Sequence, residues 1–353
     1  TGRYPIHNGI KRVLFDFQKH REFLDPARET SFASLLRQAG YATAIAGKWQ
    51  LSFLHERDTI RDFGFDEYQC WQIFRDGEKT SRYADPTFRQ NGRVIGPELR
   101  GRYGPDVNVD FLIDFMKRHR DKPFLVYYTA LLPHFPWEPT PDSGVALRAA
   151  ADALGDPKYF PDMVAYLDKQ VGRFLAALDE LHLRERTLVV FLADNGTDRR
   201  IVSRWTDGKI TRDVRGGKGT MTDAGARVPL IANWPGTIKP AVLDDLVDSS
   251  DILPTLVELA GAPAPPRAIN GRSFAPRLRG QPGNGRAWVH VQNMDQRWVR
   301  NREFHLANDS TLRPVVGIGE AHAEPIPKPY SPAHQAAWDA LKPGLRSAAT
   351  LGK

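Results

Sequence analysis

The stretch LVVFLADNGTD, residues 188–198, places a carboxylate and an amide directly after an apolar run. Asp194 and Asn195 carry oxygen atoms of the kind that bind Ca²⁺ or Mg²⁺. An Asp-Asn-Gly sequence is also a common turn signal. Two ligands do not complete the coordination of a calcium ion, which takes roughly 6–8 oxygens. The stretch therefore indicates either a surface turn or one part of a metal site whose other ligands come from elsewhere.

Three basic side chains could hold an anion. Lys218 lies in the glycine-rich stretch RGGKGTMTDAG, where the backbone can approach a tetrahedral anion and the ammonium supplies a point charge. Lys48 directly follows a short apolar run, and His134 lies between prolines in LLPHFPW. An imidazole there could donate to an anion or protonate a leaving group. Each residue also has a non-functional interpretation. Lys218 could lie in a flexible surface loop, Lys48 could extend into solvent, and His134 could have a structural role.

Alternating helices and strands are predicted to position these residues. A helix capped by Thr30 or Ser31 and ended by Gly40 leads into the strand ATAIA. Two further pairs follow: a helix over 107–118 with the strand FLVYYTA, and an amphipathic helix with the strand TLVVFLA. This order predicts an α/β fold with a mostly parallel sheet covered by helices on both faces. In such sheets the binding crevice lies beyond the carboxyl ends of the strands. Lys48, His134 and Asp194 each come after a strand, so we expect them at that edge.

The pattern changes after about residue 267. RAWVHVQNMDQRWVRNREFHLAND predicts an antiparallel meander, and SPAHQAAWDALK predicts a final helix. The sequence thus predicts a first domain over residues 1–266, which carries the candidate catalytic residues, and a small antiparallel α+β subdomain over 267–353.

Composition argues against two classes of partner. The 353 residues contain 49 Lys and Arg against 42 Asp and Glu, a net charge of +7, but the basic residues are scattered. Nucleic-acid binders gather such residues on one face, so we expect no nucleic-acid partner, although the charge could attract an anionic substrate. No apolar run approaches the about 20 residues of a membrane helix. The single cysteine, Cys70, is expected in the core.

Five motifs occur together: TGRYP, GYATAIAGKWQL, PHFP, ADNGT and GGKGTMTDAGARVPLIANWPG. In this order they resemble the sulfatase family of the alkaline-phosphatase-like superfamily, from residue 1 to about residue 310. The resemblance implies a large mixed, mostly parallel sheet flanked by helices. It also implies hydrolysis of a sulfuric ester, as in arylsulfatases. Such enzymes hold a divalent cation, usually Ca²⁺ and less often Mg²⁺, beside a formylglycine whose hydrated aldehyde attacks the sulfur.

The resemblance assigns roles to the residues named above. Asp194 and Asn195 would bind the metal, and Lys48 and Lys218 would hold sulfate oxygens and offset the charge that develops during transfer. His134 would contact the sulfate or the leaving oxygen.

Two departures from the family pattern matter. The nucleophile motif Cys/Ser-x-Pro-x-Arg and the earlier acidic ligands are expected before Thr1, so we expect the chain as given to be inactive. Cys70 does not match that motif, since Trp71 and Gln72 follow it. Gln50 stands where many relatives have His. Its amide can hydrogen-bond a sulfate or nucleophile oxygen but cannot relay a proton.

Two alternatives to a sulfatase stay open. The first is a phosphomonoesterase or phosphodiesterase of the same superfamily, although such enzymes commonly use two metals and more Asp and His ligands. The second is a non-catalytic binder of sulfated glycans, in which the basic cleft remains although catalytic groups have been lost. For a sulfatase the expected partner is a small-molecule or glycan sulfate ester. Relatives are often exported, which favours a periplasmic or secreted protein.

Overall fold

The computed structural model describes residues 1–14, 23–147, 154–208, 210–283, 285–316 and 323–350. Its contacts divide the chain into two compact units. The Lys48 unit comprises residues 13–187 and 260–264, and the Lys218 unit comprises residues 1–12, 188–259 and 265–353. The expected division into a catalytic domain over 1–266 and a subdomain over 267–353 stays a prediction.

The α-helices are α1 (Pro5–Asn8), α2 (Phe32–Gln38), α3 (Gly104–Arg118), α4 (Phe160–Glu180), α5 (Asp223–Ala226), α6 (Ile252–Ala260), α7 (Ala275–Leu278) and α8 (Pro332–Ala349). The strands of the Lys48 unit are β1 (Ala42–Gly47), β2 (Glu67–Trp71), β3 (Phe74–Arg75), β4 (Glu78–Lys79), β5 (Phe88–Gln90), β6 (Arg93–Ile95) and β7 (Phe124–Thr129). Those of the Lys218 unit are β8 (Val189–Leu192), β9 (Val202–Asp207), β10 (Ile210–Arg215), β11 (Leu230–Asn233), β12 (Val289–Asn293), β13 (Gln296–Arg300), β14 (Phe304–Ala307) and β15 (Leu312–Pro314).

The Lys48 unit is built on a mixed five-stranded sheet in the order β6-β5-β2-β1-β7. Strand β1 runs parallel to both β2 and β7, whereas β5 runs antiparallel to β2 and to β6. Ala44 and Ala46 of β1 are fully buried against Leu112 and Phe115 of α3. Alternate strand residues face opposite sides of a sheet. Tyr127, which pairs with Ile45 of β1, packs on Phe32 of α2, so helices cover both faces.

The helix–strand order and the α/β fold class are therefore confirmed. The predicted cap of α2 is Ser31, whose hydroxyl accepts a hydrogen bond from the Ser34 amide at 2.9 Å. Gly40, with φ of 87°, follows the end of that helix. Helix α3 begins at Gly104, earlier than the predicted residue 107, because Pro105 is favourable in a first turn.

The Lys218 unit contains separate antiparallel sheets. The four-stranded sheet β12-β13-β14-β15 is the predicted C-terminal meander, and α8 covers it with Leu341 packed on Val299, Leu306 and Leu312. Strand β8 was expected beside the parallel strands, but within the described residues it pairs antiparallel with β11. An apolar run predicts a strand but does not indicate which other strand will pair with it. The sequence therefore could not reveal this pairing. The hairpin β9–β10 was not predicted.

Among the described residues, none of the helices is both long enough and apolar enough to pass through a membrane. Cys70 lies in the core as expected, because its side chain is fully buried in β2.

Candidate functional site

The turn that follows β8, residues 193–198, carries the predicted metal ligands and is called the Asp194 turn below. Asp194 is exposed and Asn195 is half-buried. The Asn195 amide nitrogen donates to Asp194 Oδ1 at 2.9 Å and to the Gly196 carbonyl oxygen at 3.2 Å. Because the amide nitrogen is engaged in this way, Asn195 Oδ1 and the second Asp194 oxygen are the atoms with which the turn could face a cation.

The second predicted element, here the Lys218 loop (residues 216–226), is bound to this turn by backbone hydrogen bonds. The Lys218 amide donates to the Thr197 carbonyl oxygen at 2.9 Å, and the Gly196 amide donates to the Gly225 carbonyl oxygen at 2.9 Å. The structure therefore brings the lysine and the Asp-Asn pair onto adjacent segments of one unit. Lys218 is half-buried there.

The lowered pKa of Asp198 also indicates that Lys218 lies near the turn. Hydrogen bonds from the Arg200 guanidinium, at 2.8 and 2.9 Å, lower the pKa of the Asp198 carboxyl to about 2, and the charge of Lys218 contributes to this shift. Asp198 is thus ionised at any physiological pH, and its hydrogen bonds go to Arg200.

Lys48 directly follows β1 and lies beside Thr129, the last residue of β7. Its amide donates to the Thr129 carbonyl oxygen at 2.8 Å. A Cβ atom on Gly47, whose φ is 112°, would lie 2.0 Å from that same oxygen, so only glycine allows this approach. Gln50 donates from Nε2 to the Leu14 carbonyl oxygen at 2.6 Å, which commits one amide hydrogen to the backbone.

The loop that carries His134 is held by a buried phenol. The Tyr83 hydroxyl contacts the carbonyl oxygens of Leu131, at 2.8 Å, and of His134. His134 Nδ1 lies 2.7 Å from the Phe135 carbonyl oxygen, and a carbonyl can only accept, so Nδ1 must carry a hydrogen. Nε2 is then the ring nitrogen whose protonation can change.

The six predicted site residues fall into two groups of three. Lys48, Gln50 and His134 belong to the Lys48 unit, whereas Asp194, Asn195 and Lys218 belong to the Lys218 unit. Their convergence into one site stays a prediction.

The predicted metal ligands, Asp194 and Asn195, supply few of the donors that a cation requires. No group of three or more His, Cys, Asp or Glu residues that could hold a metal occurs among the residues that the structure describes. Asp194 and Asn195 supply oxygens only, which fits Ca²⁺ in ligand type and leaves most of its coordination sphere to other groups.

The sequence did not reveal the residues that hold the Lys218 loop from the C-terminal sheet. Arg300 of β13 places a guanidinium nitrogen 2.9 Å from Asp223 Oδ2, and their side chains are only 11% and 14% exposed. Burial raises the pKa of Asp223 and lowers that of Arg300, and their mutual attraction opposes both shifts. Asn293 of β12 donates to the Gly219 carbonyl oxygen at 3.0 Å. Asp223 lies within a quoted motif, but nothing in the sequence links it to Arg300.

A buried polar network holds the TGRYP segment in the same unit. Arg286 donates from Nε to Asp251 Oδ2 at 2.7 Å and from a terminal nitrogen to the Tyr4 hydroxyl at 3.2 Å. The Tyr4 ring stacks on His290 with ring centroids 4.4 Å apart. His290 is 7% exposed, and burial lowers its pKa to about 4.

The Sulfatase family model matches residues 1–262, and the chain therefore belongs to the sulfatase family. Arylsulfatase A of Homo sapiens is 32% identical over 305 residues, which cover 79% of this chain and 57% of that protein. The chain spans little more than half the length of the curated relatives it matches.

Solved structures share the fold. That of Ps i-CgsB superposes with a TM-score of 0.75 at 20% identity, covering 99% of this chain and 80% of that chain. BT4656, in complex with its substrate D-glucosamine-2-N,6-O-disulfate, superposes with a TM-score of 0.61 at 20% identity, covering 89% and 79%. The prediction of the sulfatase family and of its fold is confirmed.

Proposed function

We propose that the protein hydrolyses sulfuric esters, with Lys218 and Lys48 holding the sulfate. The observation that carries this proposal is the pair of backbone hydrogen bonds between the Lys218 loop and the Asp194 turn. They join the segment that carries Lys218 to the turn that carries Asp194 and Asn195, and this supports a site in which an ammonium and cation ligands act together on the oxygens of a sulfate ester. Membership of the sulfatase family supports the same reaction.

The two lysines would act on the charge of the sulfate group. Cleavage of the ester moves negative charge onto the leaving oxygen and the transferred sulfate, and cations already in position stabilise that charge without reorganising. Lys218 is fixed at its backbone by Thr197, and Lys48 by Thr129. Both side chains therefore extend from backbone that is held by a hydrogen bond, which favours preorganisation.

His134 is the proposed proton donor to the leaving oxygen. Its Nδ1 hydrogen faces the Phe135 carbonyl oxygen, so the proton that is transferred would come from Nε2 of the imidazolium. Gln50 would orient a sulfate or nucleophile oxygen through its amide, and it carries no titratable proton.

Two further groups belong to the proposal. Asp194 and Asn195 would hold a divalent cation, with Ca²⁺ preferred, and that cation would polarise the sulfate oxygens. A formylglycine supplied by residues outside the 353 shown would provide the nucleophile.

Hydrolysis of an aryl sulfate by the full-length protein tests the proposal. We expect Lys218→Ala to lower kcat/KM by about 100-fold or more, as loss of one preorganised charge contact does in other enzymes. Lys239→Ala, which removes an exposed lysine of the same unit, should retain wild-type activity. Equal activity in Lys218→Ala and Lys239→Ala would contradict the proposed sulfate contact.

The same assay separates the alternatives. Faster cleavage of the matching aryl phosphate would favour a phosphoesterase. Salt-sensitive binding of a sulfated glycan with no turnover would favour a non-catalytic binder.

A further inference from the structure

We propose that Arg300 and Asn293, in the C-terminal sheet, are positioning residues that set the place of Lys218. This inference rests on the proposed function, because it concerns how the loop that would grip the sulfate is held. Neither residue is assigned a contact with substrate.

The first anchor is the ion pair between Arg300 and Asp223. Asp223 is the first residue of α5, which forms the last four residues of the Lys218 loop. Both side chains are nearly buried at 11% and 14% exposure, so water screens their attraction poorly. Arg300 Nε has no hydrogen-bond partner among the described residues, and no other ion pair involving Arg300 occurs among them. The contact with Asp223 is an ion pair and not a hydrogen bond, because Asp223 Oδ2 has no hydrogen-bond partner among the described residues either.

The second anchor is the hydrogen bond from Asn293 Nδ2 to the Gly219 carbonyl oxygen. Gly219 directly follows Lys218, so this bond fixes the peptide on the carboxyl side of the lysine. The Thr197 carbonyl oxygen fixes the amide on its other side.

The two anchors lie at opposite ends of one rigid ladder. Arg300 pairs with Val289 at the start of β12, and Asn293 ends that strand opposite Gln296. Four residues of an extended strand span roughly 13 Å. Attachment at two points this far apart restrains the loop against both shifting and turning, which a single contact would not do.

The loop is therefore clamped between two supports. The Asp194 turn holds it through Gly196 and Thr197, and the sheet β12–β13 holds it through Asn293 and Arg300. A displacement of reacting groups by 1 Å can cost on the order of 100-fold in rate. The C-terminal sheet, which supplies no proposed catalytic residue, thus controls the geometry of the sulfate contact.

The test uses the full-length protein and four variants. Arg300→Ala and Asn293→Ala each remove one anchor, and Arg300→Lys keeps the charge. Arg302→Ala is the matched control, because Arg302 lies near Arg300 but donates to the Asp244 carbonyl oxygen. The hydrogen bond of Asn293 is exposed, so its loss is compatible with folding. If Arg300→Ala folds poorly, Asn293→Ala still tests the inference.

Two measurements are made on these proteins. Hydrogen exchange is measured at the amides of residues 217–225. We expect these amides to exchange faster in Arg300→Ala and Asn293→Ala than in the wild type, and at the wild-type rate in Arg302→Ala. In Arg300→Lys, which keeps the charge, they should exchange more slowly than in Arg300→Ala. Calorimetric titration with inorganic sulfate gives affinity without requiring turnover. Each anchor variant should weaken sulfate binding about tenfold, the order of one hydrogen bond to a charged group.

A double-mutant cycle separates positioning from general destabilisation. If Arg300 acts through Lys218, Arg300→Ala should change sulfate affinity less than twofold once Lys218→Ala is present. An equal loss in both backgrounds, or unchanged loop exchange in both anchor variants, would overturn the inference. A wild type that neither binds sulfate nor cleaves an aryl sulfate would overturn the proposed function itself, and loop exchange would still report whether the anchors hold the loop.

Discussion

The backbone of Gly196 meets that of Ala224 so closely that a Cβ atom on Gly196 would lie 1.8 Å from the Ala224 carbonyl oxygen. No side chain fits that space. The Asp194 turn and the Lys218 loop therefore touch backbone to backbone, with a hydrogen bond from the Gly196 amide to the Gly225 carbonyl oxygen beside the contact.

Gly196→Ala should accordingly force the two segments apart. We expect it to lower the free energy of unfolding by about 2 kcal/mol or more, the range of overpacked sites, in urea titrations. Gly172→Ala is the control, because Gly172 is exposed in α4 and a Cβ atom there would have no heavy atom within 4 Å. This second substitution should stabilise the helix by about 0.5–1 kcal/mol. Changes of the same sign in both variants would refute the close contact.

Calcium should stabilise the protein through the Asp194 turn. Ligand at 100 times its Kd adds about 2.7 kcal/mol to the free energy of unfolding, which calorimetry detects as a rise in Tm. We expect Asp194→Ala to remove most of that rise. Asp198→Asn should keep it, because the Asp198 carboxylate is already bound by Arg200. An undiminished rise in Asp194→Ala would exclude this carboxylate as a ligand.

Stability should fall with acid through His290. Its pKa is lowered by burial from 6.5 to about 4, so the unfolded chain binds the proton more tightly than the folded protein. Stability from this group is therefore complete above pH 6.5, decreases as the pH falls toward 4, and is constant below that. The total is about 3 kcal/mol.

His290→Phe retains a ring against Tyr4 and cannot be protonated. Denaturant titrations between pH 4 and 7 should therefore show a smaller loss of stability in this variant than in the wild type. Identical pH dependence in the two proteins would show that His290 does not titrate as proposed, because contributions from neighbours such as Asp248 are common to both.

The Cys70 thiol should be inert in the folded protein. It is fully buried, and burial raises its pKa, so almost no thiolate forms at neutral pH. A disulfide reagent should label it only after unfolding in urea. A Lys239→Cys variant, which adds an exposed thiol, should consume one equivalent while folded. Labelling of Cys70 at a similar rate in the native wild type would contradict its burial.

Local features of the fold were predictable from sequence because each depends on neighbours in the chain. The Ser31 cap, the strand before Lys48 and the antiparallel meander each follow from residues within one short segment. The antiparallel pairing of β8 with β11 was not predictable, because both strands are short apolar runs that could join any sheet.

The same distinction applies to the candidate site. Asp194 follows an apolar run and Lys218 lies within a glycine-rich stretch, and these patterns identified both residues from the sequence. No sequence pattern indicated the Arg300–Asp223 ion pair, because an arginine in a short strand is ordinarily exposed to solvent. Only the fold shows that this arginine is directed inward, toward a loop far away in the chain.

Helix α8 packs Leu341 onto Val299, the residue that precedes Arg300 in β13. Loss of the last turns of this helix by proteolysis would uncover the apolar side of that strand and loosen the arginine beside it. Cleavage within α8 would then weaken the proposed sulfate contact from a distance, in a protein whose Lys48, Lys218 and Asp194 are unchanged.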